Sequence, residues 1–361
     1  LSDTDTTNAV GTELVTNGTF ASNVTGWTSL RSAVLSHSSG AINVTNASGV
    51  VSGMASQAVT LEVGKTYIYQ VTRVSGSRPG YSRIGTTPTG GFYIANTLSS
   101  GTSSNTFVAT STTAYISLQI NGGSDGDNVV FDNVSVRLAE PDRSVNGNGV
   151  QAFGTITKTA VATGADLVGY SGFSASNYLE QPYNSDLDFG TGDFSFMVWV
   201  KPDSTSSGQY VFQLNNSDSS KYIHFLAQHS SASLFNATGT AYISNGTQAP
   251  AGVWSCYCGV RRGNILELYL DGNLVSSVVS TAGDVADGTS TLTIGNRDSK
   301  TSAGAFNGNL ALFRISATAP PAEQIAKMYN DEKHLFQTNA KATLYGTSNA
   351  VTALAYDDDT E

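Results

Sequence analysis

The chain has 361 residues, a length typical of two or three domains. Only 13% of the residues are charged, the net charge is -10, and hydrophobic residues still make up 39%. This composition argues against intrinsic disorder and against nucleic acid as a partner. A membrane-spanning helix is also excluded, since the sequence contains no run of about 18 apolar residues.

The two ends of the sequence suggest a fragment. The chain begins at Leu1 without an initiator methionine or a signal peptide, and it stops at Glu361 after three aspartates. We therefore expect a processed or partial piece of a longer protein, whose targeting signal lies elsewhere. Residues 1–11 are polar and predict an N-terminal connector.

Short β-rich runs separated by Gly, Asn and Ser turns fill residues 12–139 and predict a first domain. In the run 115–120, three aliphatic residues share one face, and Tyr115, Ser117 and Gln119 share the other. Such alternation is typical of an antiparallel sandwich, in which each strand has one buried face and one solvent-facing side.

Residues 140–150 contain Pro, Gly and Asn and predict a linker, and a second series of strands over 151–335 predicts a second domain. Within it, Asp271-Gly272 predicts a tight turn between two alternating runs. The tail 336–361 contains one predicted strand, Lys341–Tyr345.

One helix is predicted, over residues 321–334. Two prolines mark its start, and Ile325, Met328 and Tyr329 form an apolar stripe at helical spacing. Taken together, these patterns predict an all-β protein with two antiparallel β-sandwich (jelly-roll) domains and one short C-terminal helix after the second sandwich.

The cysteines, histidines and tryptophans of the sequence are interpreted as structural residues. Cys256 and Cys258 lie two residues apart in a predicted strand, so their side chains share a face, an arrangement that rarely allows a disulfide. The four histidines are scattered and lack the spacing of zinc ligands. We expect Trp27, Trp199 and Trp254 in the cores.

Three segments of the first domain have a recognisable order: ELVTNGTF at 13–20, Gly26-Trp27, and VFDNVSV at 130–136. They resemble the carbohydrate-binding modules attached to xylanases and related glucanases, in which the opening and closing strands meet at a structural calcium ion. The resemblance implies calcium at Asp132, with help from the backbone near Asn17 and Phe20. The alternative is that Asp132 only hydrogen-bonds the first strand.

The second domain contains LDFG at 187–190, GDFSFMVWVK at 192–201, LYLDG at 268–272 and GNLALFRI at 308–315, followed by the helix. This series resembles the laminin-G-like, concanavalin A-like lectin/glucanase domain and covers most of residues 150–335. The resemblance implies a lectin-type sandwich.

A third resemblance rests on residues 142–155 (DRSVNGNGVQAFGT), 171–190, 329–337 and 342–360. They are similar to virion proteins of marine bacteriophages, typically tail-fibre or other surface proteins. The resemblance implies a virion surface protein that adheres to host-surface glycans, has other virion proteins as partners and forms a homotrimer. Two alternatives stay open: a structural or decoration protein that holds neighbouring subunits, and a secreted, extracellular bacterial adhesin.

Sugar recognition needs flat aromatic faces together with amides or arginines for the hydroxyl groups. We expect such residues on the solvent-facing side of the first domain and on the loop beside it. The candidate carbohydrate-binding residues are Gln70, Thr72, Tyr81, Arg83, Tyr115, Ser117 and Gln119. The alternative is that they form ordinary strand surface or a protein interface.

Catalysis is not expected. Glycosidases need two carboxylates across the scissile bond, and the glucanases on the concanavalin-like fold carry Glu-x-Asp-x-x-Glu on one strand. The nearest candidate here, Glu267 with Asp271, has different spacing and ends in a turn. Asp186 and Asp188 form an acid pair without a partner base.

Overall fold

The structure of the protein is a computed structural model that describes residues 3–140, 142, 147–204, 209–215, 221–229, 232–237, 242–245, 249–279, 283–285 and 288–341. Most of the predicted strand Lys341–Tyr345, the remaining tail to Glu361 and much of the predicted linker lie outside these residues. No helix of this part of the chain has the length and apolarity needed to cross a bilayer.

The predicted fold class is confirmed: the described chain consists of antiparallel β-strands with one short α-helix. The strands that precede the predicted linker are β1 (Ala9–Gly11), β2 (Thr28–Leu30), β3 (Ala33–Ser38), β4 (Ala41–Asn46), β5 (Met54–Thr60), β6 (Thr66–Ser75), β7 (Gly80–Thr87), β8 (Gly90–Leu98), β9 (Gly101–Val108), β10 (Thr113–Ile120) and β11 (Asn128–Glu140).

The first sandwich consists of two five-stranded sheets. One has the order β3-β4-β11-β6-β9, and the other has the order β2-β5-β10-β7-β8. Their facing sides enclose one core, to which β10 contributes Ile116, Leu118 and Ile120, all fully buried. β10 therefore alternates because one of its faces enters the core, as predicted. Trp27 belongs to the same core, also as expected.

After the predicted linker the strands are β12 (Val150–Ala160), β13 (Val168–Ser171), β14 (Tyr178–Gln181), β15 (Phe194–Pro202), β16 (Gln209–Asn215), β17 (Tyr222–His229), β18 (Ala232–Ala237), β19 (Tyr242–Asn245), β20 (Ser255–Arg262), β21 (Ile265–Leu270), β22 (Asn273–Val279), β23 (Thr291–Ile294) and β24 (Gly308–Ser316). One sheet runs β14-β23-β16-β17-β18-β19 and the facing sheet runs β13-β24-β15-β20-β21-β22. β12 pairs with a strand of each sheet.

The helix α1 (Ala322–Glu332) confirms the helical prediction, and a 3₁₀ turn, Lys333–Phe336, follows it. Ile325 is its buried anchor. The helix covers the outer side of the β15 sheet, where the Trp199 ring stacks on Tyr329 and Phe336. Trp199 and Trp254 both pack in this cluster as predicted.

The helix explains why β15 does not alternate between apolar and polar residues. Its residues at 194, 196, 198 and 200 enter the core between the sheets, whereas Met197 and Trp199 enter the cluster beneath the helix. Cys256 and Cys258 share that cluster as unpaired thiols on one strand face, as predicted. Burial raises the pKa of Cys258 to about 12, so the thiol stays protonated at neutral pH.

The two sandwiches are joined by continuous strand pairing. The end of β11 pairs with the start of β12, with Glu140 opposite Val150, and β1 pairs with the middle of β12. The segment expected to be a connector therefore adds the strand Ala9–Gly11 to the junction.

A buried ion pair lies at the same junction. The ammonium of Lys158 is 3.4 Å from a carboxylate oxygen of Glu140, and both side chains are only about 5% exposed. A carboxylate oxygen of Asp3 lies 2.8 Å from the same ammonium, and the Tyr170 hydroxyl donates to the second Glu140 oxygen at 3.0 Å. Burial raises the pKa of Glu140, and the charge of Lys158 opposes that rise.

We expect Lys158→Met to lower the free energy of unfolding by about 3–5 kcal/mol, because it leaves the Glu140 carboxylate buried without a cation. Lys327→Met, which breaks an exposed ion pair on α1, should cost less than about 1 kcal/mol. Urea unfolding monitored by tryptophan fluorescence measures both. The double variant with Glu140→Gln should recover part of the loss, and equal costs for the two single variants would contradict this account.

Candidate functional site

The candidate site is the outer side of the five-stranded sheet β2-β5-β10-β7-β8, which we call the outer face. Its side chains alternate with those of the core. They include Met54, Ser56 and Ala58 of β5, Tyr81, Arg83 and Gly85 of β7, Phe92 of β8, and Tyr115, Ser117 and Gln119 of β10. The strand register places five of the seven sequence-predicted residues here. They are Tyr81, Arg83, Tyr115, Ser117 and Gln119.

The register aligns these residues in rows across the sheet. Gln119 lies opposite Tyr81, and Ser117 lies opposite Arg83. The Arg83 guanidinium lies 4.1 Å from the centre of the Tyr81 ring and 5.2 Å from that of Phe92. One guanidinium nitrogen also donates to the Gln119 side-chain oxygen at 2.6 Å. These contacts orient the guanidinium before any ligand arrives.

The β7–β8 hairpin folds over one part of the outer face. The Ser117 hydroxyl donates to the backbone carbonyl of Pro88 in the hairpin turn at 2.6 Å, and Ser117 is fully buried. At Gly85 an added Cβ would lie 2.8 Å from backbone atoms of Gly91 and Phe92, so only glycine allows the hairpin to fold this closely. The expectation that Ser117 faces solvent is therefore wrong, because the hairpin covers it.

Gln119 also differs from the solvent-facing position expected of it, since only 5% of its surface is exposed. Its side-chain oxygen is occupied by Arg83, whereas its amide nitrogen makes no hydrogen bond to the described residues. Tyr81, Arg83 and Tyr115 keep partial exposure. The accessible surface consequently consists of aromatic rings around a half-buried guanidinium.

Gln70 and Thr72 lie elsewhere. Both belong to β6, which is a strand of the opposite sheet, and their side chains alternate with core residues of that sheet. The Thr72 hydroxyl contacts that of Thr102 at 2.8 Å. The two outer sides of a sandwich point in opposite directions, so the structure does not bring these two residues to the outer face.

The residues of the outer face or its edge that were absent from the predicted set include Phe92, Met54 and Arg31. Phe92 follows a register shift between β7 and β8, which turns its ring towards Arg83. Met54 lies opposite Gln119 across the sheet. The exposed Arg31 directly follows β2. The register shift was not visible in the sequence; the double glycine before Phe92 was its one signal.

The electrostatics of the outer face are dominated by its guanidinium. Burial lowers the pKa of Arg83, an interaction with Tyr81 raises it, and the charge of Arg31 lowers it again. Arg83 stays charged at neutral pH, since free arginine titrates above about pH 12. A cation is thus held in a partly dehydrated position beside a like charge.

The predicted calcium position lies where the first segment meets β11. The backbone N–H of Val134 donates to the carbonyl of Gly18 at 2.9 Å, and Asn17 and Phe20 both have positive φ angles of 51° and 44°. The Asn17 amide nitrogen donates to the carbonyls of Asn23 and Thr25, and Phe20 is fully buried.

Asp132 lies in a bulge of β11 and is half-buried. One carboxylate oxygen accepts from the Asn133 backbone N–H at 2.7 Å, and the other makes no hydrogen bond to the described residues. Burial raises the pKa of this carboxyl. That free oxygen fits a calcium ligand, but calcium takes six to eight oxygens, so backbone carbonyls and water would have to supply the rest. Among the described residues no group of three acidic, His or Cys side chains could hold a metal ion.

The carboxylates considered for catalysis have structural partners. One Glu267 oxygen accepts from the Tyr269 hydroxyl at 3.1 Å and lies 3.7 Å from the Arg262 guanidinium. One Asp271 oxygen accepts from the backbone N–H of Cys256 at 2.8 Å. Asp271-Gly272 forms the predicted turn between β21 and β22, with positive φ at both residues.

A cavity of about 700 Å³ is lined by residues of the β11–β12 junction and of the second sandwich. Leu292, Ile294 and Phe313 line its floor, and Asp186 and Asp188 lie at its edge. The Tyr183 hydroxyl donates to Asp188 at 2.7 Å. More than half of the residues that line this cavity are polar, but none of the seven sequence-predicted sugar residues is among them. The outer face, which holds five of the seven, is therefore the candidate site for sugar recognition.

A family model for the concanavalin A-like lectin/glucanases superfamily matches residues 173–326, less than half of the chain. A search of curated proteins found no match. One similar solved structure is domain 4 of AbnA, an extracellular GH43 arabinanase of Geobacillus stearothermophilus in complex with arabinotriose. It shows 17% identity and a TM-score of 0.41 over 49% of this chain and 82% of that one.

A second is the CBM40 of a Ruminococcus gnavus IT-sialidase bound to α2,3-sialyllactose, with 11% identity and a TM-score of 0.35 over 41% of this chain and 92% of that one. A CBM4 structure shows 19% identity and a TM-score of 0.29 over 34% of this chain and 99% of that one. All three scores are below 0.5, so the sandwich fold is assigned here from the strand pairing itself.

We expect calcium in hundredfold excess over its Kd to raise the thermal midpoint of the first sandwich by about 5 °C or more, since a ligand at that excess adds about 2.7 kcal/mol. Asp132→Asn should abolish this shift, and Glu62→Gln, at an exposed position, should keep it. Differential scanning calorimetry with calcium and with chelator measures the shift. If Asp132→Asn lowers the midpoint equally in both buffers, Asp132 acts only through its hydrogen bond.

Proposed function

We propose that this protein is a non-enzymatic glycan-binding protein, and that its first sandwich binds a sugar chain across the outer face. The observation that carries the proposal is the combination of Tyr81, Phe92 and Tyr115 with the guanidinium of Arg83 and the free amide nitrogen of Gln119. Aromatic rings pack against the C–H faces of sugars, and the nitrogen donors bind hydroxyl oxygens.

The second sandwich supports binding in a different way. Residues 173–326 match a superfamily whose name covers both lectins and glucanases. Hydrolysis by the usual route needs a pair of carboxylates across the scissile bond. Glu267 and Asp271 are instead hydrogen-bonded to neighbouring parts of the fold. We therefore propose the lectin-like role for this sandwich.

We further propose that the protein is located on the surface of a bacteriophage virion, as a tail fibre or similar structure, and adheres to host-surface glycans as a homotrimer. The support is the sequence resemblance at residues 142–155, 171–190, 329–337 and 342–360. A structural decoration protein and a secreted adhesin are the alternatives. Sugar affinity separates the first alternative from the proposal, and the presence of the protein on virions separates the second.

We expect Tyr115→Ala to weaken glycan binding about three- to tenfold, because it removes an aromatic surface worth about 0.5–1.5 kcal/mol. Gln70→Ala is the matched control, since it changes a sequence-predicted sugar residue that lies on the opposite sheet. The glycan affinity of this variant should stay within twofold of the wild-type affinity. A glycan array selects the ligand, and isothermal titration calorimetry measures both variants. A folded wild-type protein that binds no glycan on the array would refute the proposal.

The virion role predicts a trimer in solution. Multi-angle light scattering should give a mass of about three times the 37.6 kDa chain. An antibody against this chain should bind the surface of purified phage particles. A monomeric protein that is absent from particles would favour the secreted adhesin.

A further inference from the structure

The five strands of the outer-face sheet contain a single charged residue. β2, β5, β7, β8 and β10 include Arg83 and otherwise only uncharged side chains, with no Asp or Glu. The whole chain carries 28 acidic and 18 basic residues. The chain as a whole is acidic, whereas the one charge on the strands of this sheet is positive.

Arg83 has no carboxylate partner among the described residues. Arg137, Arg262 and Arg314 each form an ion pair with a glutamate. Arg83 instead makes one hydrogen bond, to the neutral Gln119 side chain, and packs against two aromatic rings. Its guanidinium keeps four of five N–H donors for other partners.

Arg31 adds a second positive charge at the edge of the outer face. It is exposed, directly follows β2 and, like Arg83, forms no ion pair among the described residues. Burial is the main cause that lowers the pKa of the Arg83 guanidinium, and the charge of Arg31 acts in the same direction. Partial burial and like-charge repulsion both disfavour this arrangement, and an anion at the outer face would relieve both.

We propose that the glycan bound at the outer face is anionic, and that Arg83 binds its carboxylate or sulfate group with Arg31 as a supporting charge. This proposal rests on the proposed function and names its ligand class. A guanidinium can offer two parallel N–H donors to a carboxylate or sulfate. The rings of Tyr81 and Phe92 already hold it in place, and Tyr115 remains free to stack on a sugar ring.

The test compares three oligosaccharides of similar length: oligogalacturonate, which carries carboxylates, a sulfated carrageenan oligosaccharide, and a neutral galactan. Isothermal titration calorimetry at two NaCl concentrations measures each affinity for wild type, Arg83→Gln and Arg31→Gln. Lys327→Gln, on the exposed side of α1, controls for the loss of one positive charge. A thermal melt of each variant checks folding.

We expect at least one anionic oligosaccharide to bind tenfold or more tightly than the galactan, and this preference should shrink at high salt. Arg83→Gln should remove the preference, Arg31→Gln should reduce it, and Lys327→Gln should leave it within twofold. The oligosaccharide with the higher affinity identifies carboxylate or sulfate as the group that is bound. If Arg83→Gln fails to fold, Arg31→Gln and the salt dependence still decide the question.

Equal affinity for the galactan and the anionic sugars would overturn this inference and leave the proposed glycan-binding function intact. An anionic preference that Arg83→Gln and Arg31→Gln do not change would also overturn it, because the anion would then bind elsewhere. Absence of binding to all three oligosaccharides and to the glycan array would overturn the proposed function itself.

Discussion

The contact between Lys158 and Glu140 fixes how the two halves of this protein are joined. Both side chains are almost fully buried, and Asp3 from the N-terminal segment places a second carboxylate against the same ammonium. A buried charge without a partner costs several kcal/mol, so the three groups are held together once the strands pair. The strand pairing of β11 with β12 and the burial of these charges therefore depend on each other.

The rest of the fold uses charge sparingly. In a chain with 13% charged residues, many of the described cations have a visible structural role. Arg137 pairs with Glu13 and lies over the ring of Phe153, and Arg314 pairs with Glu332 of the helix. Arg83 differs from these two arginines, because its partners are the neutral Gln119 side chain and two aromatic rings.

Much of the fold follows from patterns that act over short distances. The alternation of β10 indicated which of its side chains enter the core, the Asp271-Gly272 pair indicated a tight turn, and the stripe at Ile325 indicated the helix. Each depends only on neighbouring residues, so one sequence suffices to predict it. β15 is apolar at almost every position because the helix covers its second side. The helix lies more than 100 residues further along the sequence, so a local pattern does not reveal this contact.

The candidate site could be predicted only in part, because alternation identifies the face of a strand but not the sheet to which the strand belongs. Gln70 and Gln119 both alternate with core residues, yet they lie in opposite sheets. Ser117 lies on the predicted face of its strand but is buried, because the β7–β8 hairpin covers it. This fold of the hairpin depends on the close backbone approach at Gly85, which the alternation of β10 does not reveal. Lys158 contacts Glu140, which is 18 positions away in the sequence, and Asp3, which is 155 positions away. No local pattern encodes these contacts.

The outer face also shows why a sheet suits the recognition of an extended ligand. Small side chains at Ala58 and Gly85 lie on either side of Tyr115 of the central strand, and Tyr81 and Phe92 add two further rings to the same side of the sheet. The β7–β8 hairpin closes one part of this surface through its contact with Ser117. Under the proposed function, a sugar chain that follows the open part would meet the Arg83 guanidinium, whose position two aromatic rings and an amide already set. The proposed preference for anionic sugars therefore depends on that one guanidinium, because it is the one charged group on the five strands of this sheet.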